Sequence, residues 1–196
     1  MIAYDLIGQT PLVLLESFSD ENVKIYAKLE QFNPGGSIKD RLGKYLIEKA
    51  IDEGRLKEGD TIVEATAGNT GIGLAIASNR HKVKCIIFAP EGFAEEKISI
   101  MKALGADVRR TPKVEGMTGA QKEALAYATR YGYLYMNQFE TKDNPGAYTQ
   151  TLAKQLTDEL SHIDYFVAGV GSGGTFTGVA QHLKTYDVKN YIVEPE

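Results

Sequence analysis

The chain has 196 residues with a formal net charge of −4, and 43% of its residues are hydrophobic. This composition supplies a substantial core, and it excludes a largely disordered chain and a broad basic surface of the kind that binds nucleic acid or anionic membrane. A single cysteine excludes a disulfide framework, and no metal-ligand spacing is present. With neither an apolar run of about 18 residues nor a charged-then-apolar leader, the sequence predicts a soluble, cytoplasmic protein.

Short apolar runs alternate with amphipathic stretches along the chain, a pattern typical of parallel strands joined by helices. The predicted strands are Lys24 to Leu29, Thr61 to Ala65, Val83 to Ala89, Val108 to Thr111, Leu134 to Gln138, Tyr165 to Val170 and Tyr191 to Val193. The predicted helices cover 37–54, 69–77, 95–105, 118–130, 144–160 and 175–183. The run from Cys85 to Ala89 is apolar on both alternating faces, as expected for a strand covered by helices on each side. We therefore predict an α/β fold with a mainly parallel sheet.

The last predicted strand runs into Glu194-Pro195-Glu196, where the chain stops. In an open α/β sheet, ligand groups lie at the carboxyl ends of the strands. We therefore expect the chain to end where a functional loop would begin.

The first of three glycine-rich loops reads Asn33-Pro34-Gly35-Gly36-Ser37-Ile38-Lys39-Asp40-Arg41. Ser37 can cap the helix that follows, which places Lys39 in the first helical turn. The positive end of the helix dipole disfavours another positive charge there, so the lysine loses its proton more easily. Such an amine is suited to attack a carbonyl group. The alternative is a solvated surface lysine, the usual state of this residue type.

The second loop reads Thr66-Ala67-Gly68-Asn69-Thr70-Gly71-Ile72-Gly73 and lies between a predicted strand and a predicted helix. Backbone N–H groups at such a helix start can bind an anion, with Thr66, Asn69 and Thr70 adding side-chain groups. The alternative is an ordinary tight strand-to-helix turn.

The third loop reads Gly169-Val170-Gly171-Ser172-Gly173-Gly174-Thr175-Phe176-Thr177-Gly178 and directly follows an apolar strand. Converging amides, the Ser172 and Thr175 hydroxyls and the helix dipole suit a phosphate group. The loop also matches a dinucleotide fingerprint, which on its own is weakly specific. Two anion loops and an activated lysine indicate a phosphorylated cofactor and a carboxylate substrate. Pyridoxal phosphate fits these roles better than NAD, which needs no activated lysine.

These residues resemble the β-family, fold-type II pyridoxal-phosphate enzymes, in the cysteine synthase and cystathionine β-synthase group. The resemblance rests on six segments in order, which span essentially the whole chain. They are Ile7-Gly8-Gln9-Thr10-Pro11-Leu12-Val13, Pro34-Gly35-Gly36-Ser37-Ile38-Lys39-Asp40-Arg41, Ala67-Gly68-Asn69-Thr70-Gly71, Lys102-Ala103-Leu104-Gly105-Ala106, Gln138-Phe139-Glu140 and Gly171-Ser172-Gly173-Gly174-Thr175. The resemblance implies a two-domain architecture with mainly parallel sheets: a small substrate-binding domain over 34–141, and a large cofactor domain formed by 1–33 and 142–196.

The resemblance also implies the role of each site residue. Lys39 would form the Schiff base with the cofactor and move the α-proton of the substrate. Asn69 would hydrogen-bond the ring hydroxyl of the cofactor, and Gly171, Ser172, Gly173, Gly174 and Thr175 would bind its phosphate. Thr66, Ala67, Asn69, Thr70 and Gln138 would surround the substrate carboxylate. The implied reaction is β-replacement on O-acetylserine or serine by a thiol: sulfide gives cysteine and homocysteine gives cystathionine. A homodimer is implied as well.

Three departures from the family pattern qualify this picture. Ala65 and Ala67 stand where many relatives carry proline and serine, a hint of the homocysteine-using branch. Tyr148 stands where relatives often carry histidine. Family members run to about 300 residues, and they continue beyond Glu196 to a serine or threonine that bonds the pyridine nitrogen. We therefore expect a fragment with an incomplete large domain, which holds the cofactor poorly and turns over slowly.

Two other hypotheses stay open on the sequence. The chain could be a non-catalytic nucleotide-binding or interaction module that uses the glycine-rich loop at 169–174. It could also be a catalytically inactive relative that serves as a partner-binding subunit, although intact Lys39 and Asn69 argue against this.

Overall fold

A parallel sheet of four strands organises the computed structural model, which describes residues 2–194. Its strands are β3 (Thr61–Ala65), β4 (Lys84–Pro90), β5 (Asp107–Thr111) and β6 (Leu134–Tyr135), in the order β5-β4-β3-β6. Ile62 of β3 pairs with Cys85 on one side and with Leu134 on the other. Every residue of β3 is buried, because this strand lies inside the sheet and is covered on both faces.

Seven α-helices pack around the strands within residues 2–194. They are α1 (Lys39–Asp52), α2 (Asn69–Arg80), α3 (Glu95–Ala103), α4 (Gly116–Tyr131), α5 (Asp143–Tyr148), α6 (Lys154–Glu159) and α7 (Gly174–Leu183). Alternating residues of β4 enter different apolar clusters: Cys85 and Ile87 join the larger one, whereas Ile86 and Phe88 join a smaller one with the alanines of α4. The two-faced apolar pattern of this strand is thereby confirmed. No helix in the described part of the chain is long and apolar enough to cross a membrane.

Two smaller sheets complete the described fold. Strand β1 (Leu12–Leu14) pairs antiparallel with β2 (Tyr26–Lys28), and β7 (Tyr165–Gly169) pairs parallel with β8 (Lys189–Val193). The predicted α/β class with mainly parallel pairing is confirmed. The division into two domains stays a prediction.

Several element bounds differ from the sequence-based expectation by two or three residues, as in α2, which ends at Arg80 instead of Ala77. Three differences have a local physical reason. Strand β1 was not predicted, because three residues are too few to show a period. Strand β6 ends at Tyr135 instead of Gln138, since the chain turns at Asn137, which has a left-handed φ of 48°. The helix expected over 144–160 is present as one continuous helical run over 143–159, and a wider π turn at Thr149–Ala153 lies within it between α5 and α6. Pro195 and Glu196 lie outside the described residues.

Helices α1 and α2 approach each other backbone to backbone. A Cβ atom on Gly43 would overlap the Gly73 carbonyl, and one on Gly73 would overlap the Lys39 carbonyl. Glycine at both positions therefore allows the first turn of α1 to rest on α2. This contact fixes where Lys39 lies relative to the second glycine-rich loop.

Candidate active site

Lys39 and the third glycine-rich loop meet in space although they are far apart in the chain. The Nζ atom of Lys39 donates a hydrogen bond to Ser172 Oγ at 3.1 Å. Lys39 is the first residue of α1, and Ser172 lies two residues before α7 begins at Gly174. The fold thus brings the predicted amine to the start of the helix that is predicted to bind phosphate.

Lys39 lies in a largely buried environment. Burial lowers the pKa of Lys39. Burial acts in the same direction as the dipole of α1, from which the sequence predicted this shift. Ser37 Oγ accepts the Lys39 N–H at 3.2 Å, although the residue directly before the helix is Ile38. Because Lys39 is only partly exposed, the alternative of a solvated surface lysine is wrong.

Tyr148 supplies part of the surroundings of this amine. Lys39 Nζ lies 5.9 Å from the centre of the Tyr148 ring, and the tyrosine is fully buried. Burial also raises the pKa of Tyr148 to about 12, so the phenol stays neutral. The departure from histidine therefore places a neutral aromatic ring beside the lysine.

The loop before α7 leaves room for an anion. Cβ atoms on Gly171 and Gly173 would meet nothing within 4 Å, and Gly173 has a φ of 80° that favours glycine. The first N–H groups of α7 have no acceptor within the helix, and they carry its positive dipole end. Ser172 and Thr175 flank the helix start. Pyridoxal phosphate fits this arrangement, since an open loop at a helix start, which can hold a phosphate, lies beside a buried amine with a lowered pKa, which can bond its aldehyde.

The second loop lies at the carboxyl end of β3 and leads into α2. Thr66 Oγ1 accepts the Gly68 N–H at 3.0 Å, and Thr70 Oγ1 donates to Gln138 Oε1 at 2.7 Å. Both threonine hydroxyls thus have partners inside the protein, which the sequence did not indicate. In the first turn of α2 the Gly71 N–H already donates to the Gly68 carbonyl at 3.1 Å, which leaves the N–H groups of Asn69 and Thr70 and the Gln138 amide nitrogen for a carboxylate.

The remaining predicted residues, Ala67 and Asn69, also lie at the start of α2. Asn69 is the first residue of α2, and Ala67 lies two residues before it, so both are at this helix start. The hydrogen bond of Asn69 to the cofactor ring stays a prediction. The structure thus brings together Thr70 and Gln138 on one side of the site and Lys39 and Ser172 on the other.

Two buried residues of the site, Glu64 and Asn144, were not predicted from the sequence. Glu64 is fully buried in β3, accepts the Ala65 and Gln138 N–H groups at 2.7 and 3.1 Å, and has a pKa raised by burial to about 7. Asn144 is 2% exposed and bonds both Gln138 and Ser172. A charged residue inside an apolar strand could have singled out Glu64, whereas nothing in the sequence distinguishes Asn144 from an ordinary residue at a helix start.

Comparisons with known proteins agree with this geometry. Residues 3–196 match the family described as pyridoxal-phosphate dependent enzyme. An O-acetylserine dependent cystathionine beta-synthase of Bacillus subtilis is 50% identical to the chain over 196 residues, which cover 97% of the chain and 64% of that protein. A cysteine synthase of Helicobacter pylori is 49% identical over 189 residues, which cover 92% of the chain and 60% of that protein.

Solved structures give the same result. The O-acetylserine dependent cystathionine beta-synthase of Helicobacter pylori superimposes with a TM-score of 0.93 at 46% identity, covering the whole chain and 67% of that structure. An O-ureido-L-serine synthase superimposes with a TM-score of 0.93 at 35% identity, covering 99% of the chain and 63% of that structure. The chain spans less than two thirds of the length of the two curated relatives, the Bacillus subtilis cystathionine beta-synthase and the Helicobacter pylori cysteine synthase. The matched family, the relatives and the shared fold lead to one conclusion: the chain belongs to the pyridoxal-phosphate dependent enzymes.

Proposed function

We propose that the protein catalyses a β-replacement, in which a thiol takes the place of the β-substituent of O-acetylserine or serine. The observation that carries the proposal is the contact between Lys39 Nζ and Ser172 Oγ, which joins an amine whose pKa is lowered by burial to the glycine-rich loop before α7. Relatives named cystathionine beta-synthase and cysteine synthase support homocysteine or sulfide as the thiol. A homodimer in the cytoplasm belongs to the same proposal.

Each part of the site has a role in this reaction. Bound pyridoxal phosphate would supply the electron sink that allows the α-proton and the β-substituent to leave. Lys39 would hold the cofactor and then move the α-proton, and burial favours the neutral amine that this step needs. Gly171, Ser172, Gly173, Gly174 and Thr175 would hold the phosphate, and Asn69 would bond the ring.

The substrate carboxylate would bind on the other side of the site. Thr66, Ala67, Asn69 and Thr70 surround the helix start that would receive it, and Gln138 would add its amide N–H groups. Because Thr70 already fixes the Gln138 side chain through Oε1, the free nitrogen of this amide is held in one orientation. The substrate would thus be oriented by groups that need little rearrangement.

The test offers the reconstituted protein O-acetylserine or serine, each with sulfide or homocysteine, and identifies the product by mass spectrometry. We expect cysteine or cystathionine, and a loss of at least about a hundredfold in rate for Lys39→Ala because its proton transfer is removed. Lys44→Ala on the same helix is the control and should keep the rate. Binding of NAD without binding of pyridoxal phosphate would instead support the non-catalytic nucleotide module, which the family assignment does not favour.

A further inference from the structure

We propose that Asn144 is a positioning residue that fixes the carboxylate side of the site, which contains Gln138, relative to its phosphate side, which contains Ser172. The inference rests on the proposed function, because the relative position of the two sides matters only if a cofactor and its bound substrate extend from one side to the other. Asn144 contacts neither reacting group in this proposal. It acts through Gln138 and Ser172.

The side-chain amide of Asn144 uses both of its donors, one for each side of the site. Nδ2 donates to the main-chain carbonyl of Gln138 at 2.7 Å and to Ser172 Oγ at 3.2 Å. The orientation of the amide is settled by the first bond, because a carbonyl oxygen can only accept. Asn144 is 2% exposed and lies in α5, so water does not compete for these bonds.

Gln138 is held at three of its polar groups. Glu64 accepts its N–H at 3.1 Å, Asn144 donates to its carbonyl, and Thr70 donates to its side-chain oxygen at 2.7 Å. The side-chain nitrogen is the group that these bonds leave for a ligand. Loss of the Asn144 bond therefore releases the backbone that aims this nitrogen.

Ser172 is held in the corresponding way on the phosphate side. Its Oγ accepts from Lys39 Nζ and from Asn144 Nδ2. A hydroxyl has two lone pairs and one proton, so two accepted bonds leave the proton to be donated elsewhere. The Asn144 bond thus favours Ser172 as a donor to an anion in the cradle.

The oxygen of the Asn144 side-chain amide makes a third contact, with Gly174 at the start of α7. Oδ1 is buried without a hydrogen-bond partner among the described residues, and a Cβ atom on Gly174 would overlap it. It therefore packs against the first residue of α7, where the positive end of the helix dipole faces it. A buried oxygen without a hydrogen bond is unfavourable for stability, which indicates that the position of this side chain has another use.

The first experiment titrates the protein with pyridoxal phosphate by visible absorbance, and then the loaded protein with O-acetylserine by the change in that spectrum. We expect Asn144→Ala to weaken both affinities about tenfold, the effect of losing one positioned hydrogen bond on each side. Asn144→Asp keeps the size of the side chain and removes both donors. It should weaken both affinities as well, so it carries the test if the alanine variant does not fold.

Double variants separate positioning from general destabilisation. If Asn144 acts through Ser172, adding Asn144→Ala to Ser172→Ala should change the cofactor affinity by less than about twofold. If it acts through Gln138, adding it to Gln138→Ala should change the O-acetylserine affinity by less than about twofold. Effects that simply add in both pairs would overturn the proposal.

Asn190→Ala is the matched control. Its Nδ2 also donates to a main-chain carbonyl, that of Val188, and its Oδ1 is also buried without a partner among the described residues. This variant should leave both affinities unchanged. If Asn144→Ala lowers only the melting temperature, or only one of the two affinities, the inference is wrong. If the unaltered protein binds no pyridoxal phosphate, the proposed function itself fails, which is a distinct result.

Discussion

Burial shifts the protonation of two residues of the site in ways that bear on function. It lowers the pKa of Lys39 and thereby favours the neutral amine. It raises the pKa of Glu64 to about 7, although two backbone N–H groups favour its charged form. Since Glu64 holds the backbone of Gln138, its charge is linked to the carboxylate side of the site.

The pKa of Glu64 predicts a pH dependence of stability. The ordinary pKa of 4.5 applies in the unfolded chain, so between pH 4.5 and about 7 the folded state binds more protons than the unfolded state. The free energy of unfolding should therefore fall as the pH rises through this range. The measurement is urea unfolding at pH 5 and pH 8, compared with Glu64→Gln.

The two proteins share all other titrating groups. The difference between their free energies of unfolding therefore reports the titration of Glu64 alone. We expect the stability of Glu64→Gln relative to the unaltered protein to increase by about 2.5 kcal/mol from pH 5 to pH 8. An identical pH slope in both proteins would show that the buried carboxyl does not titrate there.

Gly171 provides a test of the anion cradle that does not depend on turnover. A Cβ atom there would meet no protein atom within 4 Å, so Gly171→Ala should change the free energy of unfolding by less than about 1 kcal/mol. A bound phosphate would meet that methyl group, so the affinity for pyridoxal phosphate should fall about tenfold. Gly169→Ala, whose Cβ would lie 3.7 Å from the nearest atom, is the control. Unchanged cofactor affinity in Gly171→Ala would place the phosphate elsewhere.

At the scale of elements, the sequence predicted the strands and helices that have a clear hydrophobic period or a glycine-rich turn at one end. Strand β3 was predicted at its observed bounds, because an apolar run is followed there by a glycine-rich turn. The helix starts at Asn69 and Gly174 were predicted to within one residue for the same reason. The helix over 144–160 was predicted as one run, but the π turn at Thr149–Ala153 within it leaves no trace in the hydrophobic period and could not be foreseen.

The site was predictable in part as well. Lys39 and the loops followed from glycine spacing, because such turns have a local signature. The bonds from Asn144 to Gln138 and Ser172 could not be predicted, since they depend on how α5 packs between two distant segments. For the same reason, the pairing of Thr70 with Gln138 was visible only in the structure.

The packing of α1 against α2 predicts the effect of a small substitution. Gly73→Ala would drive a methyl group into the Lys39 carbonyl, so we expect a loss of about 3 kcal/mol in the free energy of unfolding, together with weaker cofactor binding. Gly71→Ala on the same helix is the comparison, because its Cβ would meet chiefly the flexible end of Met101. Thermal unfolding of both variants checks this. A smaller loss for Gly73→Ala than for Gly71→Ala would contradict the close approach of the two helices.

At the scale of the whole molecule, the site is assembled from segments that are distant in sequence. Lys39 opens α1 and bonds Ser172, which lies just before α7. Thr70 in the first turn of α2 is linked to the same Ser172 through Gln138 and Asn144. Such an arrangement concentrates N–H groups and positive dipole ends where a phosphate and a carboxylate would bind. Among these segments, Lys39 supplies the amine that would bond the cofactor.

The identity of that amine can be measured directly. The protein is incubated with pyridoxal phosphate and reduced with borohydride, which makes an amine linkage permanent, and the modified lysine is then identified by peptide mass spectrometry. We predict that the label is on Lys39, that inorganic phosphate reduces it by competing for the cradle, and that Lys39→Arg abolishes it. Labelling spread over exposed lysines, or unchanged in Lys39→Arg, would contradict the assignment of Lys39 as the cofactor-binding residue.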